Sequence, residues 1–331
     1  MINNIIEIKN LKVEYNTKKG IFGTPQVVHA VNGVSFNIKK GEILAIAGES
    51  GCGKSTLAKA IMLLVKSSEG SIFLDDTDVL NLPKQYDLKD YYKKVQMIFQ
   101  NPYSSLNPKM KIGEILREPL EINTNLSKSE IDKIIEEKIL KVGLDKNCLE
   151  LYPHEFSGGQ RQRIAIARSL VLNPEFIIAD EPVSALDVSI QAQIINLLKQ
   201  LKNDFNLAFL FISHDLSVIK YLSDRIAIMY LGEIVEIGKT EEIFNNPMHP
   251  YTKALLSAVP AIDGLKSERM ALQGELPSPE NLPQGCKFHT RCPFVMDKCK
   301  KEIPDDIVFS ETHKCKCFLY NQQNSLLNEQ D

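Results

Sequence analysis

Short apolar runs alternate along the chain with longer segments whose apolar residues recur at helical spacing. The runs EILAIAG (42–48), FIIAD (176–180) and LAFLFIS (207–213) are strand-sized and apolar almost throughout, as in strands of a buried sheet. The segments 131–144 and 192–205 repeat apolar residues every three or four positions, which predicts amphipathic helices. This alternation predicts an α/β fold with a parallel sheet.

The pattern changes toward both ends of the chain. Residues 5–15 and 31–38 carry strand signals separated by turn residues, and residues 225–238 predict a strand pair about Gly232. After about residue 260, proline and cysteine accumulate and the periodicity fades. We therefore expect a main domain and a separate tail, with these bounds: a domain over 1–258, with a helical subdomain over 101–170, and a Cys-rich extension over 259–331.

Composition limits the class of protein. The chain has 331 residues, is 44% hydrophobic and carries a net charge of −3, so no basic surface points to a nucleic-acid partner. It lacks both the run of about 18 apolar residues that a membrane-spanning helix needs and a signal peptide at its first residues. We therefore expect a cytoplasmic protein that reaches a membrane only through partners.

A phosphate-binding motif follows the first buried strand. Residues 48–55, GESGCGKS, match the pattern G-x-x-x-x-G-K-[ST] in full, between an apolar strand and an amphipathic helix. Lys54 is expected to reach the β- and γ-phosphates of ATP, and the Ser55 hydroxyl to bind Mg²⁺. Backbone N–H groups would cradle the phosphates. The nucleotide-binding residues expected here are Gly48, Glu49, Ser50, Gly51, Cys52, Gly53, Lys54, Ser55 and Thr56.

A pair of carboxylates ends the strand FIIAD. Asp180 can hold Mg²⁺, directly or through water, and Glu181 can polarise an attacking water as a general base. An acidic turn after a strand is common, but a phosphate loop upstream in the same chain favours a hydrolytic site.

A second glycine-rich loop, FSGGQ (156–160), lies at the start of the helical segment RQRIAIARSL and forms a second potential anion-binding nest. It resembles the signature loop of ABC transporter ATPases, with Phe156 in place of the usual Leu. The resemblance implies a RecA-like P-loop NTPase core with an antiparallel β subdomain and an α-helical signature subdomain. It also implies that Ser157, Gly158, Gly159 and Gln160 contact ATP held by a partner ATPase packed head to tail.

Other positions match the family's motifs in the same order. Gln100 corresponds to the glutamine that touches Mg²⁺ and faces the membrane subunit, and Asp187 ends the loop SALD that crosses the dimer interface. His214 corresponds to the histidine that contacts the γ-phosphate, so the resemblance implies Glu181, His214 and Gln100 as catalytic residues. Tyr15 corresponds to the aromatic residue that stacks on adenine, although Phe22 could serve instead.

Three further segments, at 101–110, 179–198 and 246–260, resemble the oligopeptide and dipeptide importer ATPases, and most of all the second of their two ATPase subunits. The ATPases of nickel and other small-solute importers share much of the sequence of these segments. The resemblance implies a second, non-identical ATPase, two transmembrane permeases and an extracytoplasmic peptide-binding protein as partners. The chain would then sit at the cytoplasmic face of the membrane.

Five cysteines crowd into the tail, which in a cytoplasmic protein favours metal binding over disulfides. The family's tail ends in His-x3-Cys, so the resemblance implies Cys286, Cys292, Cys299 and Cys317 as ligands, with Cys315 as a possible replacement for Cys317. The resemblance favours a [4Fe–4S] cluster. Four thiolates also suit Zn²⁺, and free thiols in a loosely ordered tail are a further alternative.

Two other classes of protein remain as alternatives. A soluble ABC ATPase acting on ribosomes or DNA would usually carry two fused ATPase domains or a long coiled-coil insertion, and neither is visible. A small-molecule kinase could use the phosphate loop alone, but FSGGQ and His214 argue against it.

Overall fold

The computed structural model of the protein describes residues 4–18, 25–82, 88–258 and 274–320. The chain divides into two compact units. The first unit comprises residues 1–7, 37–43 and 73–213, and the second comprises residues 8–36, 44–72 and 214–331. Across the described ranges, no helix is both long and apolar enough to cross a membrane.

Strands and helices alternate through most of the described chain. The strands are β1 (Asn4–Lys18), β2 (Pro25–Lys39), β3 (Ile43–Ala47), β4 (Glu69–Leu74), β5 (Thr77–Asp78), β6 (Val95–Ile98), β7 (Phe176–Asp180), β8 (Ala208–Ile212), β9 (Arg225–Tyr230), β10 (Glu233–Lys239), β11 (Asp306–Val308) and β12 (Lys314–Lys316). The helices are α1 (Lys54–Ile61), α2 (Leu88–Lys94), α3 (Pro102–Ser105), α4 (Ile112–Asn123), α5 (Lys128–Lys141), α6 (Gly158–Leu170), α7 (Val188–Phe205), α8 (Leu216–Leu222), α9 (Thr240–Asn245) and α10 (Pro250–Ser257). The predicted α/β class is confirmed.

Three neighbouring strands of the first unit are parallel. β6 pairs with β7 and β7 with β8, all parallel, with Met97 opposite Ile178 and Ile178 opposite Leu210. Every residue of β7 and β8 is buried. The continuous apolar runs are explained by this burial, because a strand covered on both faces has no solvent-facing position for polar residues.

The first unit also contains amphipathic helices, of which α5 is the clearest. Ser127 caps α5, because its hydroxyl accepts from Glu130 N–H while the Glu130 carboxylate accepts from Ser127 N–H at 2.8 Å. Ile131, Ile135 and Ile139 form the buried face of this helix. The amphipathic helix predicted at 131–144 is therefore confirmed.

The second unit contains a mixed sheet that includes part of the tail. β3 and β9 are parallel, with Ile46 opposite Ala227, and β10 returns antiparallel to β9. β12 then pairs with β10 and β11 with β12, both antiparallel. The strand pair about Gly232 is as predicted, whereas β11 and β12 carry too few residues for a periodic signal in the sequence.

A buried carboxylate joins the tail to this sheet. Glu236 on β10 has only 1% of its surface exposed. Its carboxylate accepts hydrogen bonds from Met248 N–H at 2.7 Å and His249 N–H at 2.9 Å, and pairs with His313 Nε2 at 2.8 Å. Because a buried charge is tolerated only when it is fully hydrogen-bonded, Glu236 fixes β10, the start of α10 and the residue just before β12 together.

We expect Glu236→Ala to lower the free energy of unfolding by about 3 kcal/mol or more, because Met248 N–H and the buried His249 and His313 lose their partner. Glu121→Ala, which removes an exposed carboxylate from α4, should change it by less than about 0.5 kcal/mol. Urea unfolding of the full chain measures both variants. Equal unfolding midpoints for the two variants would contradict this role of Glu236.

Candidate nucleotide-binding and catalytic sites

The phosphate loop lies between β3 and α1 in the second unit. Gly51 and Gly53 have φ values of +81° and +107°, in the left-handed region that favours glycine. A Cβ on Gly53 would approach Ala30 O to 2.1 Å, whereas a Cβ on Gly51 would meet nothing within 4 Å. Gly232 N–H donates to Cys52 O at 2.9 Å, so the β9–β10 turn also supports the loop.

Lys54 turns its ammonium group into this loop. Its side chain is buried, and Nζ donates to Gly48 O at 2.7 Å and to Glu49 O at 2.9 Å. Cys52 lies beside it, with Sγ 3.6 Å from Lys54 Nζ. Burial raises the pKa of Cys52, so its thiol stays protonated and serves as a packing group.

The first unit brings Gln100 and Glu181 together. Gln100 follows β6 and Glu181 follows β7, and Gln100 Nε2 donates to Glu181 Oε2 at 2.8 Å. Both residues lie beyond the carboxyl ends of neighbouring parallel strands, where α/β proteins place ligands. Asp180, the last residue of β7, is buried.

Glu181 adopts an unusual backbone conformation. Its φ is +47°, which is uncommon for a residue other than glycine, and its N–H donates to Ile212 O at 3.0 Å. Conformations of this kind concentrate at functional sites, because the surrounding structure must enforce them. Here the end of β8 supplies that constraint and aims the Glu181 side chain toward Gln100.

The signature loop opens α6. Ser157 caps this helix: its N–H donates to Gln160 Oε1 at 3.0 Å, and its hydroxyl accepts from Gln160 N–H at 3.4 Å. Gly158 and Gly159 are the first helical residues, and a Cβ on Gly159 would lie 2.5 Å from Ile190 Cγ2. Glycine at 159 is therefore required by the close approach of α7, in addition to any contact with phosphate.

Asp187 is the N-cap of α7. Its carboxylate accepts from Ser189 Oγ at 2.7 Å and from Ile190 N–H at 3.0 Å. The Ser189 hydroxyl and then the Ile190 N–H hold the pKa of Asp187 below its usual value. The carboxylate is thus ionised and fixed at the start of the helix.

Tyr15 and His214 belong to the second unit. Tyr15 lies on β1 with 37% of its surface exposed, as a ring that stacks on a ligand must be. His214 is exposed directly before Asp215, the N-cap of α8. Phe22, the alternative aromatic residue, lies outside the described residues.

Four cysteines of the tail lie in one neighbourhood. Cys286 N–H donates to Cys299 O at 2.9 Å. Burial, with a smaller effect from the nearby thiols of Cys299, Cys317 and Cys292, raises the pKa of Cys286 to about 12. Burial also raises the pKa of Cys317 to about 11. The thiols of Cys286, Cys292 and Cys317 are therefore protonated at neutral pH.

Cys315 is placed differently, on β12 opposite Glu236 of β10. Burial raises its pKa, and the Glu236 carboxylate raises it further. The structure thus groups Cys317, and not Cys315, with the three other cysteines. Within the described part of the chain, however, no three His, Cys, Asp or Glu side chains are arranged to hold a metal ion.

Two contacts to the phosphate loop were missed by sequence reasoning. Tyr251 and Arg291 both bind Glu49, at separations of 202 and 242 residues along the chain. No local pattern reports pairs this far apart, although the segment containing Tyr251 was noted for its resemblance.

Known proteins resemble this chain over most of its length. A family profile described as "ABC transporter" matches residues 31–184, and one described as "Oligopeptide/dipeptide transporter, C-terminal region" matches residues 235–299. The chain is 49% identical to the oligopeptide transport ATP-binding protein AppF of Bacillus subtilis, covering 96% of this chain and 98% of AppF. It is 50% identical to the dipeptide transport ATP-binding protein DppF of Haemophilus influenzae, covering 89% and 90% of the two chains.

Solved structures show the same fold. The dimeric post-hydrolysis ATP-binding cassette MJ0796, bound to ADP and Pi, is 32% identical with a TM-score of 0.62, covering 71% of this chain and 98% of that one. CbiO1 of Clostridium perfringens, part of an ABC transporter complex, is 27% identical with a TM-score of 0.63, covering 74% and 92%. The chain therefore belongs to the ABC transporter family, among the ATP-binding proteins of the oligopeptide/dipeptide type.

Proposed function

We propose that this chain is the ATPase subunit that powers an ABC importer of oligopeptides or dipeptides. The near-complete match to AppF carries this proposal, since it runs through both the cassette and the tail at 49% identity. The chain hydrolyses ATP, and the free energy released drives transport by its membrane partners.

ATP binding is assigned to the phosphate loop. Lys54 would exchange its carbonyl partners, Gly48 O and Glu49 O, for phosphate oxygens, while the N-terminal end of α1 adds positive potential. Ser55 would hold Mg²⁺, together with Gln100 and Asp180. Mg²⁺ neutralises charge on the β- and γ-phosphates when bound. Tyr15 would stack on adenine.

Hydrolysis is assigned to Glu181 as general base, with Gln100 as its positioning partner. The 2.8 Å hydrogen bond from Gln100 fixes the Glu181 carboxylate, which would accept a proton from the attacking water. His214 would contact the γ-phosphate and the attacking water.

A second ATPase subunit would complete each site. Ser157, Gly158, Gly159 and Gln160 of one subunit would close on the ATP held by the other, with Asp187 at the interface. The dimeric form of the related cassette MJ0796 supports this pairing. We propose a non-identical partner ATPase, two transmembrane permeases and an extracytoplasmic peptide-binding protein as the remaining components. The chain then works at the cytoplasmic face of the membrane.

The tail is proposed to hold an iron–sulfur cluster. Its four neighbouring thiols, from Cys286, Cys292, Cys299 and Cys317, have the soft donor chemistry that either an iron–sulfur cluster or Zn²⁺ requires. Because burial raises the pKa of Cys286, Cys292 and Cys317, these three thiols must release protons when they bind, and all four side chains must draw together. In this proposal, residues 1–258 form the nucleotide-binding domain with its helical subdomain at 101–170, and 259–331 form the extension.

Glu181→Gln should lower ATP hydrolysis by the assembled transporter by at least about 100-fold, because the amide cannot accept the proton. ATP binding should persist, since Gln keeps the shape of the side chain. Phosphate release and equilibrium binding measure the two effects, with the exposed Glu121→Gln as the matched control. Hydrolysis that survives the substitution would overturn the assignment of Glu181.

Gly53→Ala should lower ATP affinity by more than about tenfold, because the new Cβ forces the loop away from Ala30. Gly51→Ala carries the same left-handed strain without a clash, so it should bind ATP more tightly than Gly53→Ala. Titration with a fluorescent ATP analogue ranks the two variants. The reverse ranking would mean that the loop does not hold the phosphates as described.

The cluster is tested by elemental analysis of anaerobically purified full-length protein. A [4Fe–4S] centre predicts iron and acid-labile sulfide in equal amounts, whereas zinc without sulfide would identify Zn²⁺. Cys292→Ser should lose the iron. Cys148→Ser and Cys315→Ser, which alter buried thiols outside the group of four, should retain it. Wild-type protein with neither iron nor zinc would refute a metal role for the tail.

A further inference from the structure

Glu49 links the phosphate loop to two distant segments of the second unit. The motif G-x-x-x-x-G-K-S leaves the identity of this residue open, so phosphate binding alone does not require a carboxylate there. Glu49 N–H donates to Tyr251 Oη at 2.9 Å. Its carboxylate accepts from Arg291 at both Nη1 (2.8 Å) and Nη2 (3.1 Å). The loop is thus held through one backbone and two side-chain hydrogen bonds.

The Arg291–Glu49 pair is well shielded from water. Only 7% of the Arg291 side chain and 24% of the Glu49 side chain are exposed. Bidentate guanidinium–carboxylate pairs fix both distance and orientation, and screening by salt is weak where water is excluded. The pair therefore differs from the exposed ion pairs elsewhere on the chain, which contribute little.

Aromatic packing holds Arg291 in place. The guanidinium lies 6.0 Å from the centre of the Tyr230 ring. Phe288, one turn earlier in the tail, packs edge-on against Tyr230 at 5.3 Å and tilted against Tyr251 at 5.4 Å. Arg291 N–H also donates to Phe288 O at 3.0 Å. A single turn of the tail therefore carries both the buried Phe288 ring and Arg291, which binds Glu49.

The Arg291–Glu49 pair also affects the electrostatic charge at the phosphate loop. ATP brings several negative charges to the loop, and a carboxylate within the loop repels them unless a cation compensates it. Arg291 is that cation for Glu49. Lys54, the other cation at the loop, donates to backbone carbonyls and not to the Glu49 carboxylate in this structure.

We propose that Arg291 is a positioning residue for ATP: with Tyr251 it holds the phosphate loop through Glu49, and it neutralises the Glu49 carboxylate beside the incoming triphosphate. This inference deepens the proposed function and rests on the ATP-binding role of the loop. The tail then contributes to the nucleotide site, because Arg291 of the tail sets the geometry and charge of the phosphate loop.

The test measures ATP affinity of the purified full chain, and KM and kcat of the assembled transporter. Arg291→Met should raise the Kd and KM for ATP about tenfold while changing kcat less, because it removes a charged hydrogen bond that is present before the reaction. Adding Glu49→Gln to Arg291→Met should recover part of the affinity, since the uncompensated charge is then gone. Arg117→Met, which breaks the 2.5 Å ion pair with Asp132 in the helical region, is the matched control and should leave affinity unchanged.

Arg291→Met that binds ATP within about twofold of wild type would overturn the proposal. So would an equal loss of affinity in Arg117→Met, because it would show a general response to a broken ion pair. If Arg291→Met does not fold, Arg291→Lys and Tyr251→Phe test the proposal in its place. Each of these variants is expected to weaken ATP binding about threefold. Unchanged ATP affinity in both variants would refute the proposal. Wild-type protein that binds no ATP would instead refute the proposed function.

Discussion

Backbone carbonyl groups of neighbouring strands pack closely against the glycines of the phosphate loop. The nucleotide site depends on this close packing. A side chain at Gly48 would meet Met229 O at 2.2 Å, and one at Gly53 would meet Ala30 O at 2.1 Å. The carbonyls belong to β9 and β2, strands whose own positions are set by sheet hydrogen bonds. The loop therefore takes its shape from strands of two different sheets, and its N–H groups are oriented before any anion binds. Preorganisation of this kind lowers the cost of binding.

The same logic applies to the hydrolytic residues of the first unit. Glu181 keeps a left-handed backbone because β8 accepts its N–H, and Gln100 reaches it because β6 and β7 are adjacent and parallel. Neither side chain could be aimed by local sequence alone. The strand order brings together two residues that are 81 positions apart, and their geometry follows from the register of the sheet.

Features with local sequence signals were predictable. The strand–loop–helix at 42–64, the amphipathic helix at 131–144, and the strand pair about Gly232 each follow from patterns within about 20 residues. The contacts of Glu49 with Tyr251 and Arg291 were not, because they depend on tertiary packing between distant segments. The short strands β11 and β12 also escaped prediction, since three residues cannot establish a period of two. For the fourth cysteine, the family resemblance implied Cys317 with Cys315 as a possible replacement, and this choice stays a prediction.

The distance in sequence between Glu49 and Arg291 also sets an order of events during synthesis. Arg291 is the 242nd residue that the ribosome adds after Glu49, which takes roughly ten seconds to a minute at typical rates. Residues 8–36 and 44–72 are made early, but their unit also needs residues that are made much later. Residues 73–213 of the first unit are all synthesised before Arg291. The nascent chain therefore holds an unfinished nucleotide loop until its last segment emerges, and a prematurely terminated chain would carry the whole phosphate motif without the arginine that balances it.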